Sequence, residues 1–486
     1  MNKLQVPRLK PLYARVGLVG VGHHTYWGQF EGLLDEMKRK LEVLRALLAG
    51  NGVDVVEFGI LDRAASAYAA IPEIRAANLD LLFVDMVTYA TSSTFGVLCR
   101  ELQIPIVLVA LQPMQAMDYA RGTTFMQLCN DDICSMPEFT GVAVRMGRNP
   151  PPCVIGYEGD PAAEAEIRQW CQIAKVLHDL RTSRIGLMGH VLEAMLDMHT
   201  DPTAVTAAFG AHVVMVEPDD LMRHFCNASP EAIREKKQAI FDFFDMPDPV
   251  SDPVTTKVTR EDLEMAARAA VALDGLIQEK ALDGLAYYYE ADPGSEMRRL
   301  VTNLIVGNSL LTSSGFPMCG EFDLKTCVAM MIMDRLEIGG SFAEFHPVDF
   351  VRGSVLVGHD GPHHINIAEA RPVLRSLKKY HGKPGAGASV EFQIREGPIT
   401  MLSIGLNGEG KFKFIIAEGY SEKRPIPPTG NTNTHGLFEP DVRTFLKRWF
   451  AEAPTHHFAL GIGHHATELV EIAKILNLDY AVVTPR

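Results

Sequence analysis

The sequence predicts an α/β fold with two Rossmann-like α/β domains, followed by a β-rich C-terminal domain that forms an antiparallel sheet or a small barrel. Three observations lead to this prediction. Short apolar runs alternate with helical patterns over the first third of the chain, the alternation begins again near residue 185, and the last third is rich in strands. Such alternation is typical of a parallel sheet covered on both faces. We expect domains at 1–185, 186–340 and 341–486.

The first domain is predicted from buried strands with helices between them. The strand candidates are VGLVGVG (16–22), VDVVEFG (53–59), DLLFVD (80–85) and IPIVLVAL (104–111). Gly17, Gly20 and Gly22 follow a G-x-x-G-x-G spacing rather than G-x-G-x-x-G. We therefore interpret them as glycines of a tight strand-to-loop turn and predict no NAD binding.

The second and third domains differ in their patterns. The central domain carries strand-like runs at 184–189, 212–218 and 282–290, and the helices between them are rich in Ala, Glu, Lys and Leu. The last domain carries the runs 353–359, 389–394, 399–406 and 411–419, then helices near 439–450 and 466–477 and a strand at 479–484. Its segment Asn-Gly-Glu-Gly at 407–410 is typical of a hairpin turn.

Composition narrows the function classes. The 486 residues are 47% apolar and 22% charged, with a formal net charge of −14. No Lys/Arg block stands out, which argues against nucleic acid or an anionic membrane as a partner. Eight cysteines without a Cys-x-x-Cys pair indicate reduced thiols in a cytoplasmic protein. The first residues lack a signal peptide, and no apolar run is long enough to span a bilayer.

Histidines and two glutamates carry the chemical signal. Ten of the seventeen histidines lie between His346 and the C-terminus, in clusters at 359–364, 456–457 and 464–465. Glu321 and Glu344 each follow glycines. Imidazole and carboxylate together suit a divalent metal, and carboxylate-rich sets favour Mn²⁺ or Mg²⁺. Each residue also has a simpler interpretation: a core or surface histidine, a helix N-terminal acid for Glu321, and a solvated loop acid for Glu344.

Four segments in one order carry a family resemblance. They are GEFDLKT, GGSFAEFHPVDF, VLVGHDGPHH and GIGHHAT. This ordered set resembles the L-arabinose isomerase family within the arabinose/fucose isomerase group, and the chain is interpreted as a divergent member. The resemblance implies that Glu321, Glu344, His359 and His465 bind one divalent cation, Mn²⁺ or another such as Mg²⁺ or Co²⁺.

The resemblance also implies substrate contacts. It places His24 and Tyr26, from the early segment GVGHHTYWG, near the sugar. We expect His464 to be a further substrate contact. The loop after Met126 carries Cys134 near the position where typical members present a histidine to the substrate. We therefore predict the substrate only as an L-arabinose-like pentose or deoxyhexose. The family further implies a homo-oligomer, a trimer or hexamer, with active sites near subunit boundaries.

The expected reaction is aldose–ketose isomerisation through an enediolate. The metal would stabilise the charge on the sugar oxygens, and a carboxylate would move the proton between C2 and C1. We expect Glu321 and Glu344 each to act as ligand and as acid/base group, and the sequence does not decide which one abstracts the proton. A sugar epimerase, a metal-dependent hydrolase and a non-catalytic sugar-binding protein are the alternatives.

Overall fold

The protein divides into two compact units. The computed structural model describes residues 5–248, 254–361, 363–380 and 383–484. One unit comprises residues 12–179, and the other comprises residues 1–11 together with 180–486. Within the described ranges, no helix has both the length and the apolar character needed to cross a bilayer. The division into three domains at 185 and 340 stays a prediction.

The unit of residues 12–179 is built on a five-stranded parallel sheet of order β2-β1-β3-β4-β5. Its elements are β1 (Arg15–Val21), α1 (His24–Trp27), α2 (Leu33–Gly50), β2 (Asp54–Leu61), α3 (Ala64–Ala76), β3 (Leu81–Asp85), α4 (Ser92–Glu101), β4 (Ile106–Gln112), α5 (Thr124–Cys129), α6 (Met136–Arg145), β5 (Cys153–Tyr157) and α7 (Pro161–Thr182). The inner strand β3 reads LLFVD and is buried throughout. A strand covered on both faces has this continuous apolar run, which confirms the predicted α/β fold.

The other unit begins with a second parallel sheet, of order β10-β9-β6-β7. Its elements are β6 (Arg184–Met188), α8 (Pro202–Phe209), β7 (His212–Val216), α9 (Pro218–Cys226), α10 (Pro230–Phe243), β8 (Thr255–Thr256), α11 (Arg260–Lys280), β9 (Gly284–Tyr287), α12 (Glu296–Val301), α13 (Ile305–Ser313), β10 (Met318–Cys319) and α14 (Leu324–Arg335). A 3-10 turn lies at Leu196–Met198.

The C-terminal part contains a closed antiparallel barrel, which confirms the predicted β-rich fold. Its elements are β11 (Gly339–Asp349), β12 (Ser354–His359), β13 (Val373–Tyr380), β14 (Lys383–Glu391), β15 (Gly397–Leu406), β16 (Phe412–Glu422), β17 (Thr432–Leu437), α15 (Val442–Ala451), β18 (Phe458–Ile462), α16 (Ala466–Ile475) and β19 (Asp479–Val482). The barrel order is β15-β18-β11-β12-β17-β16, closed by pairing of β16 with β15. Strand β19 adds to β16, while β14, β13 and β8 form a separate sheet.

Helix α14 positions the segment that carries Glu321. All twelve of its residues are buried, because the helix contacts β9 and β10 of the parallel sheet and β11, β15 and β18 of the barrel. A helix covered on all sides needs an almost wholly apolar sequence, as in CVAMMIM. The N-terminus of α14 therefore lies where the parallel sheet and the barrel meet.

Candidate active site

A cavity of about 240 Å³ lies beside the N-terminus of α14. Parallel sheets commonly place ligand sites at the carboxyl ends of their strands, and part of the wall follows β9 and β10. The remaining wall comes from the segment after β6, from α12 and the start of α13, and from the barrel with its adjoining loops. The polar lining includes Tyr287, Tyr289, Arg298, Glu321, Glu344 and His359.

Glu321 reaches the cavity from a strained turn between β10 and α14. Glu321 and Phe322 have φ angles of 59° and 63°, and left-handed backbone at residues with a side chain costs of order 1–3 kcal/mol each. The turn is held because the Phe322 amide donates to the Tyr287 carbonyl at 2.9 Å. The carboxylate side chain is 15% exposed, so a local distortion at this junction directs an acid into the cavity.

Glu344 and His359 come together through the pairing of two barrel strands. Glu344 on β11 pairs with Gly358 on β12, so His359 lies one position beyond that pair. The Nε2 atom of His359 is 3.9 Å from Oε1 of Glu321 and 4.0 Å from Oε1 of Glu344. One imidazole nitrogen therefore faces both carboxylates.

His457 reaches the same point from the start of β18. Strand β18 pairs antiparallel with β11, with Ala343 opposite Phe458, and one further step along this register brings Glu344 and His457 together. His457 is fully buried, and its Nε2 atom lies 3.6 Å from Oε2 of Glu321. Its Nδ1 atom lies 3.1 Å from Oδ2 of Asp323.

The spacing of these atoms suits one cation. Ligand atoms of Glu321, His359 and His457 all lie within 4.8 Å of one another. Two ligands on opposite sides of an ion, each at about 2.1 Å, are separated by about 4.2 Å. Within the described residues, the buried His457 Nε2 atom has no hydrogen-bond partner. A buried lone pair aimed at a carboxylate fits a metal ligand. Two overlapping clusters with the same close spacing of ligand atoms also include His456 and Asp360.

The charges around the cavity favour metal ligation at neutral pH. Burial alone would raise the pKa of Glu344, but the hydrogen bond from His456 and the nearby His359 lower it to about 2. Burial holds the pKa of His359 well below its ordinary value. An ionised carboxylate and a neutral imidazole are the protonation states that a metal requires of its ligands.

Comparisons with known proteins show which enzymes this chain resembles. Residues 362–484 match the sequence profile of the family described as L-fucose isomerase, C-terminal domain. The chain is 22% identical over 346 residues to the L-arabinose isomerase of Thermotoga neapolitana, covering 69% of this chain and 67% of that protein. Both matches are consistent with a divergent member of the arabinose/fucose isomerase group.

Two further relatives extend the match. The L-arabinose isomerase of Aeromonas salmonicida is 23% identical over 368 residues, covering 71% of this chain and 68% of that protein. The sulfoquinovose isomerase of Priestia aryabhattai is 21% identical over 349 residues, covering 71% of this chain and 74% of that protein. These relatives confirm the predicted enzyme class, an aldose–ketose isomerase.

The fourth ligand implied by the family resemblance lies elsewhere. His465 follows β18, whereas His457 precedes it, so five strand residues spanning about 17 Å separate the two ends. The Nδ1 atom of His465 is 2.9 Å from Oε1 of Glu468. His464 is also beyond this end, with its Nε2 atom 3.2 Å from the Gly419 carbonyl oxygen. The structure brings Glu321, Glu344 and His359 together with His457, and the roles of His464 and His465 stay predictions.

The two early substrate candidates belong to the unit of residues 12–179. His24 and Tyr26 lie in α1, where His24 is exposed and Tyr26 is half-buried. The ring centroids of Tyr26 and His23 are 5.0 Å apart. The role of His24 and Tyr26 as sugar contacts stays a prediction.

The sequence did not indicate that the helix cap Asp323 also contacts a histidine, nor which histidine cluster meets the two glutamates. Asp323 caps α14 by accepting from the Thr326 amide at 3.0 Å, and it also contacts His457. Lys325 is buried and donates from Nζ to the Asp197 carbonyl oxygen at 2.7 Å. The pair at 456–457 was visible in the sequence. Nothing local indicated that it would meet Glu321.

Proposed function

We propose that this protein is a metal-dependent aldose–ketose isomerase that acts on an L-arabinose-like pentose or a deoxyhexose. The observation that carries the proposal is the convergence of two carboxylates and two imidazoles on one cavity. Its relatives act on aldoses of neutral and sulfonated kinds, as the names L-arabinose isomerase and sulfoquinovose isomerase state.

The proposed metal ligands are Glu321, Glu344, His359 and His457. Two carboxylates balance the charge of a divalent cation, for which Mn²⁺ is our first choice and Mg²⁺ or Co²⁺ the alternatives. When bound, the cation would stabilise negative charge that develops on the carbonyl and hydroxyl oxygens of the sugar. These four side chains would hold the cation, and the sugar oxygens would complete its coordination.

The two carboxylates supply the proton transfers. Isomerisation moves one proton from C2 to C1 and one from the C2 hydroxyl to the oxygen on C1. One carboxylate removes the C2 proton and delivers it to C1, while the other carries the proton between the oxygens. Each carboxylate has one oxygen toward His359 and the other toward a second histidine, His457 for Glu321 and His456 for Glu344.

The reaction is tested by proton NMR on the whole protein in D₂O. The metal-stripped protein, and the same protein after Mn²⁺ treatment, are incubated with aldopentoses, 6-deoxyaldohexoses and sulfoquinovose, and Mn²⁺ is removed before acquisition. We expect ketose signals only after metal treatment, with solvent deuterium at carbon. An epimeric aldose without ketose, hydrolysis of an added ester or amide without ketose, or no change in any sugar would contradict the proposal.

Variants test the catalytic carboxylates. Glu321→Gln and Glu344→Gln should each abolish turnover, because each change removes both a ligand charge and an acid/base group. Glu409→Gln is the matched control, since this carboxylate is 73% exposed in the hairpin turn. Near-normal turnover in both cavity variants would contradict the assignment.

The choice of histidine is tested by metal affinity. His457→Gln should weaken Mn²⁺ binding by at least about tenfold, as for loss of a well-oriented ligand. His465→Gln should leave the affinity within about twofold, the usual range for a change away from a site. A larger loss in the His465 variant than in the His457 variant would restore the ligand set implied by the family resemblance.

Assembly and location remain predictions of the same proposal. A homo-oligomer, a trimer or hexamer, follows from the family resemblance, and a cytoplasmic location follows from the sparse cysteines. Native mass spectrometry measures the first, and fractionation of the source cells measures the second.

A further inference from the structure

Asp323 makes more contacts than a helix cap requires. Its side chain is fully buried, and Oδ1 accepts a hydrogen bond from the Thr326 amide at 3.0 Å. Oδ2 accepts from the Thr326 hydroxyl at 2.8 Å and also lies 3.1 Å from Nδ1 of His457. The first two bonds complete the cap, so the third calls for another explanation.

The contact with Asp323 decides which nitrogen of His457 carries hydrogen. An ionised carboxylate only accepts hydrogen bonds, so Nδ1 must donate to it. In a neutral imidazole the lone pair then lies on Nε2, the atom that faces Oε2 of Glu321 at 3.6 Å. Phe342 packs against the imidazole with ring centroids 4.2 Å apart, which restricts rotation of the ring.

We propose that Asp323 is a positioning residue that holds His457 in the tautomer and orientation needed to present Nε2 to the cation. This inference rests on the proposed metal site. It gives Asp323 two roles, because its carboxylate caps the N-terminus of α14 and also orients His457, the residue that precedes β18. Carboxylates that orient a ligating histidine commonly change metal affinity by about 10- to 100-fold when removed.

The chain offers a matched control for the capping role. Asp441 begins α15 with the same Asp-x-x-Thr pattern, and its Oδ1 atom accepts from the Thr444 amide at 3.0 Å. Its Oδ2 atom accepts from the Thr444 hydroxyl at 2.6 Å. In the described part of the chain, the hydrogen bonds of Asp441 include no histidine. The effect of an Asp-to-Asn change on the cap alone is therefore measured by Asp441→Asn.

The test compares Asp323→Asn with Asp441→Asn in the full-length protein. Asparagine remains a good helix cap, but its amide nitrogen can donate to Nδ1 of His457 and so favours hydrogen on Nε2. Mn²⁺ binding to the metal-free proteins is measured by calorimetry. We expect the Asp323 variant to bind about 10- to 100-fold more weakly and the Asp441 variant to stay within about twofold of wild type.

A double variant and a tautomer measurement separate positioning from structure. Asp323→Asn should add no further loss of affinity in a His457→Gln background, because the two residues act through one ligand. Histidine ¹⁵N NMR of the metal-free wild type should show hydrogen on Nδ1 of His457. This measurement needs no variant and still decides the question if Asp323→Asn fails to fold.

The outcomes distinguish this inference from the proposed function. A wild-type protein that binds no Mn²⁺, Mg²⁺ or Co²⁺ overturns the metal site itself. Wild-type binding with unchanged affinity in Asp323→Asn overturns only the positioning role. Equal losses in the Asp323 and Asp441 variants, or hydrogen on Nε2 of His457 in the wild type, also overturn it.

Discussion

Replacing Glu344 with Gln should destabilise the metal-free protein by about 3 kcal/mol at pH 6. The Glu344 side chain is 16% exposed, and its Oε2 atom lies 2.6 Å from Nε2 of His456. Burial acts to raise the pKa of Glu344, but the His456 hydrogen bond and neighbouring histidines lower it from 4.5 to about 2. Lowering a carboxyl pKa by this amount corresponds to about 3 kcal/mol of stabilisation of the charged form.

The direction in which each pKa is shifted decides how the free energy of unfolding depends on pH. The pKa of Glu344 is lower in the folded protein than in the unfolded chain. Its contribution to the stability of the fold is therefore present above pH 4.5 and is lost as the pH falls through about 2. The hydrogen bond to Glu344 raises the pKa of His456 above 6.5. The contribution of His456 is therefore fully present below 6.5 and is lost as the pH rises through its folded pKa. The difference between wild type and Glu344→Gln should be largest between about pH 5 and pH 6.5.

Urea unfolding in the presence of a chelator measures this difference. Trp449 is a suitable fluorescence reporter, because its ring lies 5.9 Å from that of Phe345, the residue after Glu344. Glu409→Gln, on the exposed hairpin turn, controls for the loss of one negative charge. Equal unfolding free energies for wild type and Glu344→Gln at pH 6, or a difference that grows as the pH falls to 3, would refute the reasoning.

Two further substitutions test the packing that supports each unit. In the unit of residues 12–179, the Lys40 ammonium lies 2.6 Å from the Asp132 carboxylate with both side chains buried. Lys40→Met should therefore cost about 3–5 kcal/mol by leaving a buried charge unpaired, and the exposed Lys38→Met is the control in a denaturant titration monitored by circular dichroism. In the barrel, a Cβ atom at Gly358 would lie 1.8 Å from the Thr432 carbonyl oxygen. Gly358→Ala should separate β12 from β17 and lower the melting temperature, and an unchanged melting curve would contradict the close packing of these strands.

Local patterns predicted much of the fold. The strand expected at 80–85 is β3, Leu81–Asp85, and the turn expected at 407–410 joins β15 to β16 with Gly410 at φ 78°. Apolar runs reveal strands because burial imposes a repeat on neighbouring residues. Strands β11 and β18 were missed. Glycine, histidine and charged residues interrupt the apolar pattern of β11, and β18 has only five residues.

The sequence by itself determined the fold class, because burial imposes a repeat along each helix and strand. Through the family resemblance of its ordered segments it also predicted Glu321, Glu344 and His359 as ligands, and the structure brings these three residues together. Only the tertiary structure decided which histidine pair joins them. The antiparallel register of β11 and β18 brings the start of β18, with His457, beside Glu344 and leaves His465 at the other end. Strand pairing is a long-range interaction between distant segments, so spacing along the chain cannot specify which end of a strand meets a site.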